Sequence, residues 1–158
     1  MTDVYLLLGS NEGNRELWLQ QAIEQLGALG NTARQSAIYK TAAWGIENQP
    51  AFLNTALCLQ TDLHPLELLQ EIHAIEQNLG RQRTLKWGQR TLDIDILFYG
   101  DAIIDLPELK VPHPYLQDRR FALVPLNEIA TDFLHPGLNK TISQLLEECP
   151  DKLEVEKY

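Results

Sequence analysis

The sequence predicts an α+β fold, an antiparallel sheet with helices packed on it, and three observations carry that prediction. Segments with apolar residues at period two alternate with segments whose apolar residues recur three and four apart. Their order is strand, helix, strand, long loop, strand, helix, strand. No repeat, low-complexity run or composition break divides the 158 residues, so residues 1–158 read as a single domain with chain enough for a real core. The order is that of the split β-α-β unit. It implies a ferredoxin-like two-layer sandwich whose sheet buries one face against both helices, and it names no chemistry by itself.

Each element has its own signal. Asp3–Gly9 is a strand, ended by the turn GSNEGNR, which opens a helix of about four turns. Leu19, Ala22, Ile23, Leu26 and Leu29 form that helix's apolar stripe, and Gly27 and Gly30 mark its end. Thr32–Tyr39 is a second strand. Lys40 to Pro50, KTAAWGIENQP, is a loop of turn formers, long enough to suggest function. Ala51–Gln60 is the next strand. Pro65, at a first helical position, starts a second helix with Leu68, Ile72, Ile75 and Leu79 as its stripe. Gly80 stops it. The loop Arg81–Arg90 leads into a strand over Thr91–Tyr99. A proline-punctuated loop, Val111 to Phe121, feeds a short helix, and another short helix lies around Ile142–Glu147.

Bulk properties narrow the function. The apolar and charged fractions, 44% and 22%, are those of an ordinary globular chain. A net charge of −9 argues against nucleic acid as a partner. Within this acidic chain Arg81, Arg83, Lys86 and Arg90 sit in a stretch, Gly80 to Leu92, without one Asp or Glu. Such an island points to a small anion bound at one place. Two cysteines, Cys58 and Cys149, with no Cys/His cluster, suggest neither zinc nor a disulfide framework. No run approaches a membrane span, and no basic flank marks a signal peptide, so the expectation is a cytoplasmic protein with no membrane partner.

The strand RTLDIDILFY holds the sharpest chemical signal. Leu92, Ile94 and Ile96 fall on one face; Asp93 and Asp95 fall on the other, followed by Leu97 and Tyr99. Carboxylates two apart on a strand, about 7 Å along it, repel unless a cation lies between them. Mg²⁺ suits the position, since it takes one or two carboxylates together with phosphate oxygens and water. A solvated strand face is the plain alternative. Arginine forks in the adjoining loop match phosphate oxygens, which favours metal and phosphate together. Trp87 and two glycines in that loop also suit a lid over a substrate. No G-x-x-x-x-G-K-[ST] or G-x-G-x-x-G motif is present.

His113 lies between Pro112 and Pro114 and can bond a phosphate or move a proton, or serve only as a turn residue. Phe52 and Phe121 read as core or as a sandwich for a flat heterocycle. With Trp44 nearby, the Asn54 amide can pair with the edge of such a ring. A Mg²⁺-dependent phosphohydrolase and a nucleotide-binding regulatory module remain competing readings.

GRQRTLKWGQRTLDIDILFYG followed by VPHPYLQDRRF resembles the signature of the 6-hydroxymethyl-7,8-dihydropterin pyrophosphokinase family. LLLGSNEGN and YKTAAWGIENQPAFLNTA match its other landmarks, and the resemblance runs from about residue 4 to residue 136. It implies transfer of the β,γ-pyrophosphate of ATP to the pterin hydroxymethyl group, with release of AMP, in tetrahydrofolate biosynthesis. It implies two Mg²⁺ ions on Asp93 and Asp95, and catalytic handling of the phosphates by Arg81 and Arg90. Glu76, Arg83, Lys86, Trp87, Ile96, His113 and Arg119 match ATP-binding positions. Thr41, Ala42, Trp44, Phe52, Asn54, Asp95 and Phe121 match the pterin site. Phe52 stands where some members have Tyr, Lys86 where some have Arg, and Pro114 where some have an aromatic residue. A monomer acting on ATP and the pterin is the expectation.

Overall fold

The computed structural model describes residues 1–41, 51–81 and 92–158, with the backbone alone at Gly80 and Arg81. Strand β1 (Thr2–Ser10) leads into helix α1 (Arg15–Leu26), which ends in a 3₁₀ turn at Gly27–Leu29. Strands β2 (Asn31–Gln35), β3 (Tyr39–Thr41) and β4 (Phe52–Thr61) follow. Helix α2 (Pro65–Glu76) widens into a π-helical turn over Gln77–Arg81. Strand β5 (Asp93–Tyr99) precedes a small hairpin, β6 (Ile104–Asp105) and β7 (Lys110–Val111). Helices α3 (Arg120–Ala130) and α4 (Ile142–Glu148) and strand β8 (Val155–Lys157) complete the chain.

The main sheet runs β5-β1-β4-β3-β8, with β2 also on β4, and every pair is antiparallel. The helix starts are capped locally. The Asn14 side chain accepts from Leu17 N–H at 3.2 Å, and Pro65 opens α2 as expected. Gly30 allows the chain after α1 to cross close to β4, since a Cβ there would stand 2.1 Å from the Gln60 carbonyl oxygen.

One side of the sheet behaves as predicted. Val4, Leu6, Leu8, Leu57, Leu59, Ile94 and Ile96 pack against Leu19, Ala22 and Leu26 of α1 and Leu68 and Ile72 of α2. The other side is covered too, which adds a third layer to the expected sandwich. Tyr5, Leu7, Ala56, Cys58, Leu97 and Phe98 pack against α3 and α4 through Leu123, Leu126 and Leu145. Cys58 and Cys149 are buried free thiols in that layer.

Two strands differ from the expectation. The stretch Thr32–Tyr39 divides at Ser36, whose hydroxyl accepts the Ala56 N–H at 2.9 Å in place of a ladder carbonyl. In β5 the register slips against β1: Leu6 faces Ile96 while Tyr5 faces Phe98, leaving Leu97 as an extra residue. This bulge moves Tyr99 off the aspartate face, where alternation placed it. It packs instead beside the α1–α2 core, with its hydroxyl donating to the Leu63 carbonyl at 2.7 Å.

Candidate active site

The register of three strands assembles the site. Gly9 on β1 pairs with Asn54 on β4 and with Asp93 on β5, so all three belong to one row across the sheet. Partners directly opposite share a face, here the α3 side, because Leu7, Ala56 and Leu97 point the same way. Asp95, opposite Leu7, lies one step along that face. Two inter-strand spacings separate Asp93 from Asn54, about 10 Å. Tyr39 continues the row onto β3 opposite Asn54, and Thr41, opposite Phe52, lies one step along the same face.

Gly9 is what lets the Asn54 side chain lie across the row. A Cβ at that position would stand 2.6 Å from Asn54 Nδ2. Asn54 Nδ2 donates to the Leu8 carbonyl at 3.3 Å, whereas Asn54 Oδ1 and Thr41 Oγ1 are buried with no hydrogen-bond partner among the described residues. Buried acceptors are seldom left so in a finished core. Phe52 and Phe121 are both half-buried, and Phe121 borders the α3-side core.

A second set surrounds the outer edge of β5, where a cavity of about 400 Å³ is lined by residues that include Glu76, Asp93, Asp95, Ile96 and His113. Glu76 is 3% exposed, and its Oε2 accepts the Ile94 N–H at 2.8 Å, tying the end of α2 to β5. The Ile96 side chain belongs to the α1–α2 core, so its polar contribution to the cavity is its peptide group. His113 N–H donates to the Leu97 carbonyl at 3.0 Å, which ties the proline-bounded segment to β5. His113 Nδ1 accepts from Tyr115 N–H at 3.3 Å, leaving Nε2 to carry the proton of the neutral ring. Burial pushes the His113 pKa down; the Arg119 charge adds to this and Asp93 opposes it. The Arg119 guanidinium lies over the rings of Tyr115 and Phe121.

Of the residues expected from the sequence, the structure gathers Asp93, Asp95, Thr41, Asn54, Phe52 and Phe121 on one side of the sheet. It places Glu76, Ile96 and His113 on the adjoining cavity. Arg81 closes the π-helical turn after α2. Ala42, Trp44, Arg83, Lys86, Trp87 and Arg90 lie outside the described residues. Among the described residues no cluster of three or more His, Cys, Asp or Glu forms a metal site, so Asp93 and Asp95 stand as a pair. Sequence reasoning missed His73 and Lys110, which line the cavity, although His73 sits one helical turn before Glu76. It also missed Gly9, for which a glycine closing a strand was the available signal.

A family model described as 7,8-dihydro-6-hydroxymethylpterin-pyrophosphokinase matches residues 5–131. A 2-amino-4-hydroxy-6-hydroxymethyldihydropteridine pyrophosphokinase of Aquifex aeolicus is 44% identical over 144 residues, covering 91% of this chain and 90% of its own length. Its namesake in Pseudomonas aeruginosa is 42% identical over 149 residues, covering 93% and 91%. Among solved structures, Plasmodium falciparum HPPK-DHPS with pteroate superposes with a TM-score of 0.76 at 18% identity. That match covers 93% of this chain and 42% of the larger one, and at this identity it speaks to fold alone.

Proposed function

We infer the working of the site from one premise: the chain belongs to the 7,8-dihydro-6-hydroxymethylpterin-pyrophosphokinase family. The family's reaction is pyrophosphoryl transfer to hydroxymethyldihydropterin in folate biosynthesis. In the reading proposed here ATP is the donor, its β,γ-pyrophosphate moves to the hydroxymethyl oxygen, and AMP leaves. The single observation that supports it best is the pair of buried acceptors, Asn54 Oδ1 and Thr41 Oγ1, without a hydrogen-bond partner among the described residues and on the same sheet face as the carboxylates. A pterin edge offers amino and ring N–H donors that suit such acceptors. Phe52 and Phe121 border the faces of its rings.

Asp93 and Asp95 suit a hard cation, since both are carboxylates on one strand face, half-exposed and beside the phosphate-binding candidates. They would hold Mg²⁺, two ions in this reading, which when bound neutralises charge on the phosphate oxygens. Arg81 and Arg90 take the phosphates during transfer. Arg119, His113, Arg83, Lys86 and Trp87 bind the nucleotide in this reading, with Glu76 and Ile96 lining the cavity. Catalysis is then positioning and charge stabilisation rather than covalent work by the protein. The chain is read as a cytoplasmic monomer acting on these two small molecules.

The deciding experiment supplies ATP, Mg²⁺ and 6-hydroxymethyl-7,8-dihydropterin to the purified protein and resolves AMP from ADP. AMP formed only when the pterin is present supports the reading. ADP, or AMP released without pterin, overturns it and returns the phosphohydrolase alternative.

A further inference from the structure

We propose that Tyr115 is a positioning residue for the transfer, clamping the Arg119 guanidinium against Phe121 so that it stands ready for the nucleotide phosphates. The proposal rests on the reading that Arg119 handles phosphate. Tyr115 falls in none of the site positions named from the sequence, yet it is a large ring left 59% exposed at the edge of the site. Arg119 Cζ lies 5.4 Å from its ring centroid and 5.7 Å from that of Phe121. Both distances fall within the roughly 6 Å over which a cation is drawn to a ring face.

What Arg119 lacks is as telling. Among the described residues it forms no ion pair and its guanidinium no hydrogen bond. A carboxylate partner would hold an arginine by consuming its donors and cancelling its charge. Ring faces hold the cation while leaving its N–H donors for an incoming anion. The backbone sets the geometry. Leu116 N–H donates to the His113 carbonyl at 3.2 Å, and Tyr115 N–H to His113 Nδ1 at 3.3 Å. Asp118 N–H donates to the Tyr115 carbonyl at 3.0 Å and Arg119 N–H to that of Leu116 at 3.1 Å. These bonds make one short turn of His113 through Arg119, so the ring and the cation it faces are placed together. The His113 and Tyr115 rings stand 6.3 Å apart, which sets the clamp beside the cavity.

Steady-state kinetics and pterin binding on four variants test the clamp. Tyr115→Ala is expected to lower kcat/KM for ATP about two- to fivefold with pterin affinity unchanged. Tyr115→Phe keeps the ring face and restores the rate. Arg119→Ala is expected to cost more, and adding Tyr115→Ala to it to cost nothing further. A normal Tyr115→Ala beside an impaired Arg119→Ala overturns the proposal and leaves the phosphate role of Arg119 standing. So does a Tyr115→Ala effect that persists undiminished in the Arg119→Ala background. A fully active Arg119→Ala removes that role and the clamp with it.

Discussion

On the side of the sheet that α3 covers, β1, β4 and β5 pass through two unlike environments. At one end rings fill the space: Phe98 and Phe133 centroids lie 4.7 Å apart, Tyr5 and Phe133 5.1 Å, Phe98 and His135 5.3 Å. At the other end two of the same strands carry Gly9 and Asn54, and β5 carries Asp93. In the filled end the polar group has its partners, since His135 Nδ1 accepts from Gly137 N–H at 3.0 Å and Leu138 N–H at 2.9 Å. In the open end Asn54 Oδ1 and Thr41 Oγ1 have none among the described residues. Each such omission costs about 1–3 kcal/mol. The comparison teaches that the backbone is common to both ends, and that a binding site arises where the side chains stop completing one another.

The comparison can be broken from either end. The largest effect is expected for Asp95→Ala: turnover falls on the order of a thousandfold while the melting temperature stays near that of the parent. Wild-type turnover would sink the metal assignment. Phe98→Ala strikes the filled end and should cost about 3–5 kcal/mol in urea unfolding, with KM for the pterin unchanged among folded molecules. A shifted KM would show that the two ends are coupled.

Gly9→Ala is expected to push the Asn54 amide aside and raise KM for the pterin about tenfold, with a much smaller loss of stability than Phe98→Ala. An unaltered KM would remove Asn54 from the pterin site. The smallest effect concerns pH. Burial holds His135 below its ordinary pKa, so the folded state binds the proton less readily than the unfolded chain. The stability due to its neutral ring is complete above about pH 6.5 and is lost as the pH falls from there through the folded value. In His135→Asn the side-chain oxygen can still accept the two N–H groups but gains no proton. Unfolding measured from pH 7 to pH 5 should therefore show a shallower loss. Some loss should persist, because His113 is depressed in the same sense. An unchanged slope would assign the whole effect elsewhere.

The helices α1 and α2 were legible because their stripes are regular, and Asp93 and Asp95 because period two sets them apart from Ile94 and Ile96. The third layer was announced less plainly. Val4 to Leu8 is apolar at both parities, and so is most of β4, the mark of strands covered on both faces. The bulge at Leu97 changes no residue type; it exists only in the pairing with Tyr5 and Leu6, so alternation alone misplaced Tyr99. Asn54 was suspected for its amide, but its role depends on the missing side chain of Gly9 on another strand. Tyr115 and Arg119 stand four apart, a helical spacing, but the proline-punctuated stretch reads as a loop, and only the short 3₁₀ turn over Leu116–Asp118 makes that spacing a contact.

The row Asp93–Gly9–Asn54 works as a ruler. Its graduations are peptide hydrogen bonds, and its middle mark has no side chain, so the interval between the carboxylate and the amide does not depend on which apolar residues fill the layers above and below. Relatives can exchange much of their core and keep this interval, which fits a shared fold persisting at 18% identity. Length is what the ruler does not tolerate. One residue inserted in β1 between Leu7 and Leu8 would turn that strand's end over and present a leucine between the two groups.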